Sequence, residues 1–307
     1  MALYTCERRV AFGECDPARI YFAPRALEYA VEAVELWFEE ILRLPWAKLI
    51  AEHDLEATIE RAECGYIRPL LADQVVRMQV AVVTVDPAAA VFRVSGANAS
   101  GELCFQATLV ACFIDRQTCQ RVPIPPRYRD RFAAALAAEG DPGGLSRREK
   151  LPPVDLCPRE WHDGLSFVSR RRLAYGECSP AGTFHVPQIF RHAVEAVGEW
   201  YRETLGVSWL EQCQRQRGTP FLTIRGEISQ RLLPGQTMTF AVKVPRLGKS
   251  SIDYAVTGRD DNGRCFFSAQ MSACYITEAG GAPVASPFPD ELRQRIVAYQ
   301  LACEAGS

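Results

Sequence analysis

The sequence predicts an α+β protein made of two similar units, and three observations predict it. The first is a repeat. Residues 9–46 align without a gap on residues 172–209, and seventeen of the 38 positions are identical, where average composition gives roughly two or three by chance. The second is that each copy runs from one long amphipathic pattern into several stretches in which apolar side chains alternate. The third is the segment between the copies, "EGDPGGLSRREKLPPVDLCPREW" (139–161), whose Gly, Pro and charge are those of a linker. A spacing of 163 residues between copies is duplication of a domain, not a solenoid. The expected organisation is unit one over 1–138, a linker over 139–164 and unit two over 165–307.

Each element has a local reason. A helix is expected from Pro24 to Arg43, because Leu27, Ala30, Val31, Val34, Trp37, Phe38, Ile41 and Leu42 fall on one face at helical spacing. Pro24, and Pro187 in the second copy, suit a first helical turn, where the missing N–H would have had no intrahelical partner. Strands are expected over 75–85, 90–95 and 103–114, then over 237–245, 250–258 and 264–276. The alternation in several of these fits an antiparallel sheet with one covered face. The later segments correspond as well: 70–82 with 232–244, 101–114 with 263–276, and 123–132 with 285–296.

Composition removes several function classes. Net charge is −2 and there is no long basic run, so no field favours nucleic acid. No apolar stretch is long enough to span a bilayer, and "MALYTCERRVAF" does not read as a signal peptide. A cytoplasmic protein is expected. Twelve cysteines occur without a CxxC pair and read as small buried hydrophobes. Only four histidines are present, none at ligand spacing, so neither a metal nor a cofactor is expected. There is no GxSxG elbow, P-loop or GxGxxG.

The repeat contains one conspicuous difference. Copy one reads "GECDPARIYFAP" and copy two "GECSPAGTFHVP", so Asp16 faces Ser179 in the alignment. By themselves the residues leave two readings of Asp16 open. An Asp-Pro pair is a common turn or cap. Alternatively, the six residues 17–22 let the loop fold back until the carboxylate faces the helix start, where free N–H groups carry partial positive charge. Glu14 and Glu177 are retained in both copies, which points to a structural task such as holding the loop.

"FGECDPARIYFAPRALEY" followed by "LRLPW" resembles the 4-hydroxybenzoyl-CoA thioesterase family of the hotdog fold, over about 120 residues of each copy. The resemblance implies a tandem double hotdog, each unit an antiparallel sheet wrapped around a central helix and the two units paired as an internal pseudo-dimer. It implies hydrolysis of an acyl thioester on CoA or on an acyl carrier protein. It also implies that Asp16 is the nucleophile or general base and that the donor amide for the oxyanion lies near Ala23, with Val186 as its counterpart. Two departures stand out: Arg19 where the family has glycine, kept as Gly182 in copy two, and Ser179 where the family has its aspartate.

The resembling family carries a basic run after the second long strand. Here copy one offers "TVDPAAAVF" and copy two "VPRLGKSSI", so Arg246, Lys249 and Ser250 are candidates for gripping phosphate or are an ordinary solvated turn. Because hotdog sites lie between units, Asp16 and this turn are expected to complete one site. His185 precedes the second helix and is read as a packed or surface histidine. It also offers an acid/base for a rival activity, a dehydratase or cyclase acting on a thioester. A non-catalytic acyl-thioester binder is the second rival. Such a chain needs no partner to complete its fold, although two chains can still associate as a homodimer.

Overall fold

The computed structural model describes residues 3–139, 166–279 and 282–305. The first half contains β1 (Tyr4–Arg9), α1 (Pro24–Leu42), α2 (Trp46–His53), β2 (Leu55–Tyr66), β3 (Val75–Asp86), β4 (Ala89–Ala97), β5 (Leu103–Asp115), the short β6 (Arg121–Val122) and α3 (Pro126–Glu139). The second half contains β7 (Phe167–Arg172), α4 (Val186–Thr204), α5 (Trp209–Gln214), the two-residue β8 (Arg217–Gly218), β9 (Phe221–Ile228), β10 (Thr237–Leu247), β11 (Ser251–Arg259), β12 (Cys265–Cys274), β13 (Ile276–Ala279), β14 (Ala282–Ala285) and α6 (Asp290–Ala305). Apart from Glu139, which ends α3, the expected linker lies outside the described residues.

The order of strands in the large sheet is β1-β3-β4-β5-β2-β9-β12-β11-β10-β7, with β6 beside β5. Read from either end, the order is the same: an outer strand, a three-stranded meander and an inner strand. All pairings are antiparallel, and the halves meet where β2 pairs with β9 from Arg61↔Glu227 to Gly65↔Thr223. The α+β class and the antiparallel sheet around a long helix are thus present in both halves. The meanders β3-β4-β5 and β10-β11-β12 fall within a few residues of the expected runs. β12, however, stops at Cys274, and β13 starts a separate three-stranded sheet with β14 and β8. Neither inner strand was among the expected ones, nor were the outer strands β1 and β7.

α1 and α4 pack against each other and against the concave face of their own strands. The apolar stripe of α1 is buried as its spacing requires: Leu27, Ala30, Val34, Trp37 and Phe38 are essentially inaccessible. Ile41 is the exception and lies exposed, because the helix ends one residue later and Arg43 turns left-handed as its cap. Trp37 and Phe38 stack edge-on with Phe92 of β4 and Phe132 of α3. Trp200 of α4 does the same with Tyr254 of β11 and Tyr299 of α6. Each long helix is therefore sealed on its open side by a C-terminal helix, and truncating either tryptophan would cost about 3–5 kcal/mol.

The loops that lead into α1 and α4 are built bond for bond alike. A 3₁₀ turn (Phe12–Glu14, Tyr175–Glu177) precedes each. The Asp16 N–H donates to Ile20 O at 2.9 Å and Arg19 N–H to Asp16 O at 2.8 Å; Ser179 N–H donates to Thr183 O at 2.8 Å and Gly182 N–H to Ser179 O at 2.9 Å. A second brace comes from the conserved-in-both glutamate. Glu14 is buried and accepts from Ala11 N–H at 2.8 Å, from Tyr29 Oη–H at 2.5 Å and from Arg8 at 2.9 Å. Burial opposes its ionisation, but Tyr29, Ala11 and Arg8 outweigh burial and hold the carboxyl below the usual range. Glu177 accepts from Ala174 N–H at 2.9 Å and pairs with His192 at 2.8 Å. His192 stands where Tyr29 stands in the first half. Both glutamates hold the loop to the helix, the structural task expected of them.

The position occupied by Arg19 and Gly182 is left-handed in both halves, with φ of 65° and 80°. Glycine reaches this region freely, whereas a side-chain-bearing residue there is strained by about 1–2 kcal/mol. Arg19→Gly should therefore raise the melting temperature and Gly182→Ala should lower it. Nothing lies within 4 Å of a Cβ built at Gly182, so crowding does not confuse the comparison. Thermal melts of the two variants check the sign.

α4 is also tied to the outer strand β7 by charge. Arg171 pairs with Glu195 at 2.7 Å, and Arg191 and His192 approach the same carboxylate at 3.0 and 3.5 Å. Burial works against ionisation of Glu195, but His192, Arg171 and Arg191 overcome it and hold its pKa down to about 2 from 4.5. A depressed acid contributes stability that is complete above its unfolded pKa and is lost as pH falls toward the folded one. The wild-type chain should lose that contribution between about pH 4.5 and about 2. Glu195→Gln should be less stable near neutral pH and lose less on acidification, as melts across that range would register.

Candidate active site

Asp16 sits half-buried at the tip of the first loop. One carboxylate oxygen, Oδ1, accepts from Ala18 N–H at 2.9 Å, so the turn-forming role is realised. No cation pairs with the group among the described residues. Burial pushes its pKa up, against the bonds from the Ala18 and Ile20 backbone. Ser179 does the same turn-forming work: its Oγ accepts from Ala181 N–H at 3.3 Å. The hydroxyl carries no charge, so the two loops share a shape and differ in electrostatics.

Ala23 is the N-cap of α1 and Pro24 its first residue, as the proline predicts. Ala23 N–H meets no acceptor among the described residues, because the preceding amide, Phe22 N–H, is the one that returns to Glu14 O at 3.0 Å. Tyr66 Oη–H donates to Ala23 O at 2.9 Å and so fixes that peptide from β2. In the second half the cap moves to His185, and α4 begins at Val186. Val186 N–H is likewise without an acceptor among the described residues, and His185 N–H donates to Glu177 O at 3.0 Å. Each helix therefore opens with a spare amide of the kind that stabilises an oxyanion.

Each loop meets the other half of the molecule. The Asp16 charge is felt at Cys213, on α5, where burial first and Asp16 second raise the thiol pKa. The Ser179 loop faces α1 and α2 across a cavity of about 320 Å³. Ser179, His185 and Val186 line one wall, and Glu35, Trp46 and Ile59 are among the residues opposite. Burial keeps His185 below the ordinary histidine range, so it is neutral at physiological pH. At the edge of this cavity Glu56 of β2 is buried and bridges the halves. It pairs with Arg231 and accepts from Thr183 Oγ1–H at 3.4 Å. Burial raises its pKa and Arg231 pulls it back, which marks an ion pair that locks two surfaces together rather than a free base.

The remaining candidates have contacts of their own. Arg246 is held by both carboxylate oxygens of Asp253, at 2.5 and 3.2 Å. The turn that carries Lys249 and Ser250 is fastened to α6 and its approach: Arg293 donates to Gly248 O, Phe288 N–H to Lys249 O at 3.0 Å, and Tyr275 N–H to Ser250 O at 2.7 Å. No hydrogen bond or ion pair joins Asp16 to Arg246, Lys249 or Ser250 among the described residues. Arg19 is exposed. Cys15 and Cys178, beside the key position, are pushed up chiefly by burial, so neither is a ready thiolate. No disulfide joins the described cysteines, and the described residues hold no cluster able to bind a metal.

Sequence reasoning overlooked Glu35 and Glu56. A signal for Glu35 was available: in the gapless repeat it aligns with Gly198, one of several places where one copy has a carboxylate and the other does not. Glu56 had no such signal, because its partners Thr183 and Arg231 are more than a hundred residues away in the chain.

Residues 10–135 match the sequence model of the Thioesterase-like superfamily. No curated protein sequence gives a significant match. Among solved structures, a protein from Lactobacillus plantarum described as an oleoyl thioesterase aligns with a TM-score of 0.69 at 14% identity, over 90% of this chain and 98% of its own. The 12:0-ACP thioesterase of Umbellularia californica aligns with a TM-score of 0.69 at 10% identity, over 90% and 94%. An acyl-ACP thioesterase of Bacteroides thetaiotaomicron aligns with a TM-score of 0.65 at 9% identity, over 89% and 97%. The first half of the chain thus carries the sequence pattern of the thioesterase-like superfamily, and the chain as a whole carries the fold of these three structures.

Proposed function

We propose that the chain is an acyl thioesterase, a double hotdog that hydrolyses an acyl group carried on CoA or on an acyl carrier protein, with Asp16 as its principal carboxylate. The observation that carries this reading is that one short loop holds Asp16, half-buried and without a cation among the described residues, and leads into a helix whose Ala23 N–H has no acceptor among them. The superfamily match over 10–135 covers both residues. In the reaction the thioester carbonyl oxygen takes the Ala23 N–H as the carbon becomes tetrahedral. The carboxylate either attacks that carbon or removes a proton from the attacking water. The carbon–sulfur bond then breaks and the sulfur leaves as the thiol, protonated by the carboxyl in the second case and by water in the first, where a water then hydrolyses the mixed anhydride to the acid and the free carboxylate.

Asp16→Asn keeps the shape of the loop and its turn-forming oxygen but removes the charge. It should lower kcat by roughly 10²-fold or more, the usual contribution of a general base or nucleophile. Ser179→Ala removes only a 3.3 Å turn contact and should leave kcat within about a factor of three, which corresponds to about 0.5 kcal/mol. Free-thiol release by both variants on one acyl thioester tests the assignment. A crippled Ser179→Ala beside an unaffected Asp16→Asn would reverse it.

Two observations argue for only a modest phosphate grip at the basic turn. Arg246 already has a carboxylate partner, whereas Lys249 is exposed and unpaired among the described residues. Exposed charge contacts are worth about 0.2–1 kcal/mol. Lys249→Ala should therefore raise KM for an acyl-CoA by no more than about fivefold with kcat unchanged. Arg246→Ala should do no more. Steady-state kinetics at low and moderate salt would check this, since the effect should fade as salt screens it.

A further inference from the structure

The first half carries two carboxylates, Asp16 and Glu35, that the second lacks at the aligned positions, and of these only Glu35 lines the cavity in front of the Ser179 loop. The first loop has Asp16 where the second has Ser179, while α1 has Glu35 where α4 has Gly198. Gly198 cannot be replaced by a larger residue without a clash, because a Cβ there would lie 2.9 Å from the ring of Trp209. Glu35, by contrast, lines the cavity that Ser179, His185 and Val186 close from the other side. The Ser179 loop lost its carboxylate, but the cavity in front of it did not.

We propose that this cavity is a second hydrolytic site for thioesters with an apolar acyl group, in which Glu35 supplies the base and Val186 N–H the oxyanion donor. The inference rests on the thioesterase reading above. Its parts are independent of Asp16: a cavity of about 320 Å³, a size that suits a small ligand; apolar walls from Val31, Leu36, Trp46 and Ile50; a helix amide with no acceptor among the described residues; and a carboxylate with no hydrogen-bond or ion-pair partner among them.

The other charged groups facing Glu35 are accounted for. Glu32, on the same helix, pairs with Arg8. Glu56 on β2 pairs with Arg231. Glu39 lies exposed at the rim, and His185, before α4, is neutral through burial. Burial alone pushes Glu35 up to about 7, which suits an acid/base working near neutrality. In the step, ionised Glu35 takes a proton from water as the water oxygen bonds to the carbonyl carbon. The carbon–sulfur bond then breaks, and the departing thiolate takes the proton from Glu35, leaving acid and thiol. The acidic rim disfavours phosphate-bearing carriers, so an uncharged thioester is the suitable probe.

The test uses the full chain and S-hexanoyl-N-acetylcysteamine, with free-thiol release followed across about pH 5.5–9. Asp16→Asn should retain a residual rate that rises with pH through about 7. Adding Glu35→Gln should lower that residue by about tenfold or more and flatten the profile. Ala47→Trp, an exposed position on α2 at the cavity wall, should lower it comparably by filling the space. Thermal melts establish that each variant is folded. Glu35→Gln should melt no lower than its parent above pH 7, because a carboxyl with a raised folded pKa costs stability as it ionises. If Asp16→Asn has no residual rate, or if either added change leaves the rate and its pH profile as they were, the second site is overturned while the Asp16 assignment stands. If the wild-type chain releases no thiol from this thioester or any acyl-CoA, both readings fall.

Discussion

The pairing of β2 with β9 is the constraint on which the rest of the molecule depends. Without it each half would expose a long inner strand with unpaired backbone groups, a liability in water and a template for aggregation. With it the two sheets become one, the helices α1 and α4 come into contact on its concave face, and each loop is delivered to the opposite half. The ion pair of Glu56 with Arg231 strengthens this seam from the side. It removes two charges from water, which is favourable only when both find partners, so it disfavours any other docking of the halves.

That seam also explains how a duplicated chain can diverge in chemistry without diverging in fold. The backbone bonds of the two loops, the bracing glutamates and the prolines at the helix starts are the same in both halves, because both must close the same sheet over the same helix. The side chains that point into the space between the halves bear no such duty. Asp16 can become Ser179 because a hydroxyl caps the turn nearly as well as a carboxylate does. Gly198 can stand opposite Glu35 because Trp209 fills the space the carboxylate would need.

Charge follows burial at each of these places. Glu14, Glu177 and Glu195 are held by hydroxyls, amides, arginines or histidine, and they serve the fold. Asp16 and Glu35 are held by little beyond their own loop or by nothing, so desolvation raises their pKa values. A carboxylate kept partly out of water without a cation is costly to stability. In the roles proposed for them, that cost has a chemical use.

The sequence by itself determined the local structure and the duplication. The apolar stripe from Leu27 to Leu42 pointed to a helix, Pro24 marked its first turn, and the alternation over 75–85 or 103–114 pointed to strands, since these patterns depend on neighbours a few residues apart. It also exposed Asp16 against Ser179, because the comparison needs nothing but the repeat. It did not reveal β2: "LEATIERAECGY" places charged residues along a strand whose stability comes from β5 on one side and β9 on the other. The partners of Glu56, the cavity in front of Ser179 and the presence of Glu35 and Val186 around it were decided by tertiary structure alone. They join residues more than a hundred positions apart, and only the closure of the two sheets into one brings such residues within reach.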